Sequence, residues 1–150
     1  MKIPFSPPFI DQSVIDEVVD SLNSGWITTG PKVKALEEEI KKFSNANEVL
    51  CVNSWTSGAI MMLRWLGVEK GDEVIVPAYT YSATALAVIH AGATPVMVDV
   101  GEDFNISVRA IEKAITPRTK AIIPVDIAGF PCDYDEIMKM VSSVEIKSLF

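Results

Sequence analysis

Cysteine is scarce in this chain: Cys51 and Cys132 are the two it has. Neither has a His or Cys neighbour at metal-ligand spacing, so the pattern offers no disulfide framework and no Cys/His metal centre. It fits two reduced thiols in a cytoplasmic protein. No apolar run approaches the ~20 residues that a membrane span needs. The opening Met1-Lys2-Ile3-Pro4-Phe5-Ser6-Pro7-Pro8 lacks the continuous apolar stretch of a signal peptide. Basic residues are outnumbered, 13 Lys and Arg against 20 Asp and Glu, and they do not cluster. That argues against a nucleic-acid partner, and the net charge of −7 mostly serves solubility. Internal repeats and low-complexity segments are absent. No Gly-x-Gly-x-x-Gly follows the first candidate strand, which disfavours a plain dinucleotide-binding domain.

What is present suits one ordinary domain: 150 residues, 49% of them hydrophobic, enough for a real core. Three prolines and two phenylalanines in residues 1–10 suggest an extended arm. Asp11 then caps a helix with apolar Ile15, Val18, Val19 and Leu22 at helical spacing. Asn23-Ser24-Gly25 ends it, Trp26–Gly30 is a loop, and Pro31 begins the next helix. Val33, Leu36, Ile40 and Phe43 form the stripe expected to be buried there. The opposite face, Lys34, Glu37, Glu38, Lys41 and Lys42, is a solvated surface stitched by pairs three or four apart.

From Glu48 onward strand and helix alternate. Val49–Val52, Glu73–Val76, Thr94–Val98 and Lys120–Val125 read as strands, each short and rich in valine and isoleucine. Thr56–Leu66, Ser82–Ala91, Ser107–Ile115 (capped by Ser107) and Asp133–Val141 read as helices. This alternation predicts a mostly parallel sheet in a three-layer α/β/α arrangement. The chain then stops after a helical pattern with no strand expected to follow, like a domain cut partway. Such a cut would expose apolar edges and favour association.

In a parallel sheet the carboxyl ends of the strands share one edge, where ligands bind. Three segments converge there: Asn53–Gly58, Pro77–Ser82 and Asp126–Gly129. The first is a strand–turn–helix junction that aims backbone N–H groups and the helix dipole at an anion. Thr56 and Ser57 add hydroxyls, and Gly58 allows close approach. Ser54 or Thr56 serves as well to cap the helix, and most such turns bind nothing. Tyr81 offers a ring to a flat heteroaromatic, or else closes the end of the core. Asp126 is placed to hydrogen-bond a ligand or to hold the Gly129 turn.

Ser24-Gly25-Trp26-Ile27-Thr28-Thr29-Gly30-Pro31-Lys32-Val33 resembles the opening signature of the DegT-type (DegT/StrS) sugar aminotransferases. The likeness continues through Asn53–Gly58, Gly71–Pro77, Gly92–Asp99 and Ala114–Val125, in order and across nearly all of the chain. No single piece is specific, but five in register are. The resemblance implies a fold-type-I large domain, incomplete here, that binds pyridoxal 5'-phosphate (PLP). Residues 1–47 would be an arm and two helices, and 48–150 the first part of that domain. Thr56 and Ser57 would hold the PLP phosphate, and Tyr81 would stack on the pyridine ring. Trp26, Thr28, Thr29 and Gly30 would lie near a nucleotide-linked keto-sugar. On its residues alone the Trp26 loop is a helix-joining turn with a packed indole. Glutamate as amino donor and a homodimer are also implied.

The chain departs from the family pattern in three places. Asp126 stands where a histidine is common, and Trp55 is bulkier than the small residue usual in the phosphate turn. The family's aspartate facing the pyridine nitrogen and its Schiff-base lysine come after the point where this chain ends. Lys113, Lys120 and Lys139 fall on helices or at a strand's start, away from the ligand edge. No catalytic residue is therefore assigned, and the chain alone is expected to be inactive. A sugar dehydratase of the same family and a non-catalytic binding or dimerisation module are the alternatives.

Overall fold

The chain divides into two compact units, residues 1–51 and 52–150. A computed structural model describes residues 7–143 and 147–148. Residues 1–6 of the expected arm lie outside the described residues.

The first unit is built on α1 (Gln12–Asn23) and α2 (Pro31–Ser44). Asp11 caps α1, its carboxylate accepting the Val14 N–H at 3.1 Å. Pro31 opens α2, where an N–H would lack a partner anyway. Lys32 of α2 reaches Glu17 at 2.5 Å and Asp20 at 2.9 Å. Both carboxylates hold the ammonium above its ordinary 10.5, Glu17 most. The expected burial of the two apolar stripes is not found, since neither helix contains a buried residue. Phe43 is 93% exposed and Leu22 63%. Helical spacing gathers apolar residues on one side; burial also needs a facing layer, and two helices supply too little of one.

The second unit contains α3 (Trp55–Trp65), β1 (Glu73–Pro77), α4 (Ala83–Ala91), β2 (Thr94–Val98), α5 (Val108–Ala114), β3 (Thr119–Ile122), α6 (Tyr134–Ser143) and β4 (Lys147–Ser148). The sheet order is β2-β1-β3-β4, parallel throughout. Both faces are covered, as an all-parallel sheet requires. Val74 and Val76 of β1, with Ala121 and Ile123, pack with Leu63, Ala87 and Val88 of α3 and α4. Ile75 and Ile122 point the other way, into a second core with Ile111, Ile137 and Met140 from α5 and α6. Leu63, Ile75, Ile111, Ile122 and Ile137 are fully buried. Each such side chain contributes about 1.5–3 kcal/mol relative to exposure. This is the three-layer α/β/α sandwich expected from the alternation.

Three strand assignments need correcting. Val49–Val52 lies outside every strand, because an apolar run without a neighbour has no ladder to join. β3 ends at Ile122 rather than Val125. The Ile123 N–H still reaches the Ile75 carbonyl at 2.9 Å, but Pro124 next in line has no N–H to give. A strand does follow the last helix: Lys147 and Ser148 pair with Ala121 and Ile122.

At the amino edge, Glu73 ties β1 to β3. Its carboxylate accepts from the Thr116 hydroxyl at 2.6 Å and from Arg118 Nε at 2.9 Å and Nη2. The Thr116 bond first, then Arg118, hold it below its ordinary 4.5. β2 is one edge strand of the sheet among the described residues, with β4 at the other. The Thr94 N–H bonds inward to Asp72 O at 3.0 Å, so Pro95 turns its nitrogen outward. No described helix is long and apolar enough to cross a membrane.

Candidate functional site

From β1 the chain crosses to β2 on one side, then returns past β1 to β3 on the other. That reversal makes a switch point between β1 and β3, and crevices of this kind hold ligands beyond the strands' carboxyl ends. A cleft of about 790 Å³ opens there. Trp55 and Thr56 of α3, Thr80 and Tyr81 after β1, and Asp126 and Ala128 after β3 are among the residues that line it. The three segments expected to converge do so.

Ser54 caps α3, its Oγ accepting the Ser57 N–H at 3.1 Å and donating to Ser57 Oγ at 3.0 Å. Capping and anion binding are compatible in this turn. The N–H groups of Trp55 and Thr56 precede the first intrahelical bond, Gly58 N–H to Ser54 O at 3.1 Å. Among the described residues neither has an acceptor, so both remain available at the positive end of the helix. Thr56 lines the cleft; Ser57 and Gly58 do not. A Cβ on Gly58 would stand 3.3 Å from Val52 Cγ2, so its smallness serves packing against Val52. Tyr81 is 81% exposed and does not close the core. Behind it Thr80 and Thr84 pair their hydroxyls at 2.9 Å.

The third segment is held by a polar network. Asp126 Oδ1 accepts the Cys132 N–H at 2.9 Å and the Tyr134 hydroxyl at 2.7 Å. Burial works against its charge, but these bonds outweigh it and hold the carboxyl below its ordinary 3.8. Burial, then Asp126, raises both neighbours: the Cys132 thiol to about 11, the Tyr134 phenol well beyond its usual range. Cys132, bonded to Val125 O at 3.4 Å, is therefore an inert thiol, and Tyr134 remains a donor.

Sequence reasoning missed Asn105, which is 2% exposed on the β2–α5 loop. Its Nδ2 donates to the Phe130 and Pro131 carbonyls at 3.0 Å each, and its Oδ1 accepts the Ile127 N–H at 3.1 Å. Between those anchors Ala128 adopts φ 52°, ψ 25° in a 3₁₀ turn, Ile127–Gly129. A left-handed alanine costs on the order of 1–3 kcal/mol. Three neutral hydrogen bonds at about 0.5–1.5 kcal/mol each match or exceed that.

In the first unit, Trp26 Nε1 donates to Thr29 O at 2.9 Å, folding the indole over Gly30. A Cβ on Gly30 would fall 2.2 Å from that Nε1, so only glycine fits under the ring. Trp26, Thr28, Gly30 and Lys32 line a hollow of about 570 Å³. Thr29 is not on its wall and contributes the carbonyl that anchors the indole.

The cleft thus offers two N–H groups and a hydroxyl for an anion, an exposed ring for a planar group, and one carboxylate. Among the described residues, no lysine lines it and no metal-ligating cluster occurs.

A model of the DegT/DnrJ/EryC1/StrS aminotransferase family matches residues 8–149. The spore coat polysaccharide biosynthesis protein SpsC of Bacillus subtilis is 42% identical over 142 residues, covering 94% of this chain and 36% of SpsC. Spr1654 of Streptococcus pneumoniae ("Putative sugar aminotransferase", solved in its PMP form) superposes with a TM-score of 0.90 at 50% identity, covering 95% of this chain and 36% of that one. An aminotransferase from Psychrobacter cryohalolentis gives a TM-score of 0.90 at 34% identity, with coverage of 97% and 38%. The chain spans 36–38% of the length of the curated relatives it matches.

Proposed function

The chain belongs to the DegT/DnrJ/EryC1/StrS aminotransferase family, and from that premise we propose that its cleft binds pyridoxal 5'-phosphate for amino transfer to a nucleotide-linked keto-sugar. The observation that carries this is the meeting of Thr56 and Tyr81 on one cleft at the switch point of the sheet. The donor set fits the cofactor. Open N–H groups on Trp55 and Thr56, with the Thr56 hydroxyl, suit a phosphate dianion. The Tyr81 ring suits one face of a pyridine. Bound, the cofactor supplies the electron sink that amino transfer requires.

The chain's own residues then bind and orient. Thr56 and the turn fix the phosphate, with Ser57 steadying the turn through Ser54. Tyr81 covers the ring and keeps water from it, and Asp126 offers an acceptor at the wall. Trp26, Thr28 and Gly30 would lie near the sugar nucleotide, with Thr29 holding the Trp26 indole through its carbonyl, and glutamate is the amino donor. No residue of the cleft is assigned the proton transfer. The active assembly is a homodimer in the cytoplasm.

Titrating pyridoxal phosphate and phosphate-free pyridoxal against the chain, read by amide chemical shifts around Thr56, tests the reading. Saturable shifts with the phosphate ester, absent with pyridoxal and weakened by Thr56→Ala, are expected. Equal binding of both compounds would refute it.

A further inference from the structure

We infer that Asn105 is a positioning residue for the cofactor cleft: it holds the Ile127–Ala128 wall from behind without touching the ligand. The inference rests on the cofactor reading above, and three observations support it. First, all of the side chain's hydrogen bonds go to one turn: Ile127 N–H, Phe130 O and Pro131 O. Second, that turn carries two successive left-handed residues on two backbone bonds of its own. Ala128 sits at φ 52° and Gly129 at φ 80°, and the turn's own bonds are Gly129 N–H to Asp126 O at 3.1 Å and Phe130 N–H to Ile127 O at 2.9 Å. Third, Ile127 and Ala128 line the cleft.

Asn105 is itself well fixed. The Gly101 N–H donates to its carbonyl at 2.8 Å, its own N–H donates to Asp103 Oδ1 at 3.1 Å, and Val100 bridges Ile106 beside it. The position needs a donor and an acceptor on one short side chain. Aspartate would set a carboxylate against two carbonyls, and leucine would leave all three backbone groups unpaired. The opposite end of the wall is pinned separately by Asp126, through Cys132 and Tyr134. Asn105 therefore brackets the left-handed residues Ala128 and Gly129, bonding Ile127 before them and Phe130 and Pro131 after them.

The test compares wild type, Asn105→Ala, the double variant Asn105→Ala/Ala128→Gly, and Ala128→Val. It has two readouts: amide exchange at Ile127, Phe130 and Cys132 against core amides of Ile75 and Ile122, and pyridoxal phosphate affinity. In Asn105→Ala the turn amides should exchange at least tenfold faster with core amides within twofold, and affinity should fall at least tenfold. Glycine adopts the left-handed turn without strain, so the double variant should recover affinity to within threefold of wild type. Unchanged turn exchange, unchanged affinity despite a loosened turn, or no recovery in the double variant would overturn the inference. If Asn105→Ala does not fold, Ala128→Val decides, since it stresses the same turn from an exposed position with Asn105 in place. It should weaken binding, and wild-type affinity there would be fatal. Failure of wild type to bind pyridoxal phosphate would defeat the cofactor reading instead, leaving the exchange data to decide whether Asn105 holds the turn.

Discussion

α1 and α3 carry apolar residues at the same helical spacing and meet opposite fates. In α1, Ile15, Val18, Val19 and Leu22 are 46–63% exposed, whereas α3 buries Leu63 completely. What differs is the partner. α3 has the sheet beneath it and α4 alongside, while the first unit has two helices and a loop. Amphipathic spacing states an obligation to be covered, and only a facing layer discharges it.

The sharpest way to break this comparison is to truncate one residue from each region. Leu63→Ala or Ile75→Ala should cost about 2–5 kcal/mol in urea denaturation, against under ~0.5 kcal/mol for Phe43→Ala. Equal costs would mean that Phe43 is covered in solution. Next comes Gly30→Ala, aimed at the one buried position in the described part of the first unit. Its methyl must displace the Trp26 indole, so about 1–3 kcal/mol and a shifted tryptophan emission are expected.

Smaller effects separate the regions by pH. Glu73 in the second unit is held below its ordinary 4.5. Its contribution is present above about that pH and lost as pH falls through the lower folded value. The stability gap between wild type and Glu73→Gln should therefore close on acidification below 4.5. Lys32 in the first unit is raised above 10.5. Its contribution is present below that pH and lost as pH rises through the folded value, so the gap to Lys32→Met should close only in strong alkali. Salt should weaken the exposed Lys32 cluster at any pH. The smallest stability change belongs to Tyr81→Ala, within ~0.5 kcal/mol by denaturation at an exposed site, although pyridoxal phosphate binding should fall.

The second unit's strands and helices were legible because each depends on contiguous residues: an apolar run, its turn, the helix after it. The meeting of three segments at one cleft followed from the parallel order of the strands. Val49–Val52 misled because whether a run becomes a strand depends on a neighbour elsewhere in the chain. Ser57 and Gly58 sit in the expected phosphate turn without lining the cleft. They shape the turn through Ser54 and Val52, and the choice between lining a cleft and supporting it is made by side-chain direction. Asp126 carried two readings, and its Oδ1 holds the turn while its residue lines the cleft. Asn105 left no signal, since its partners lie 22 to 26 positions away and no local pattern joins them.

Pro95 has a consequence for behaviour at high concentration. The open flank of β2 is where a stray extended segment would try to add itself, and repeated additions build fibrils. With its nitrogen turned outward, Pro95 removes a donor near the start of that flank while costing the native ladder nothing. Growth from this side therefore begins with a missing rung.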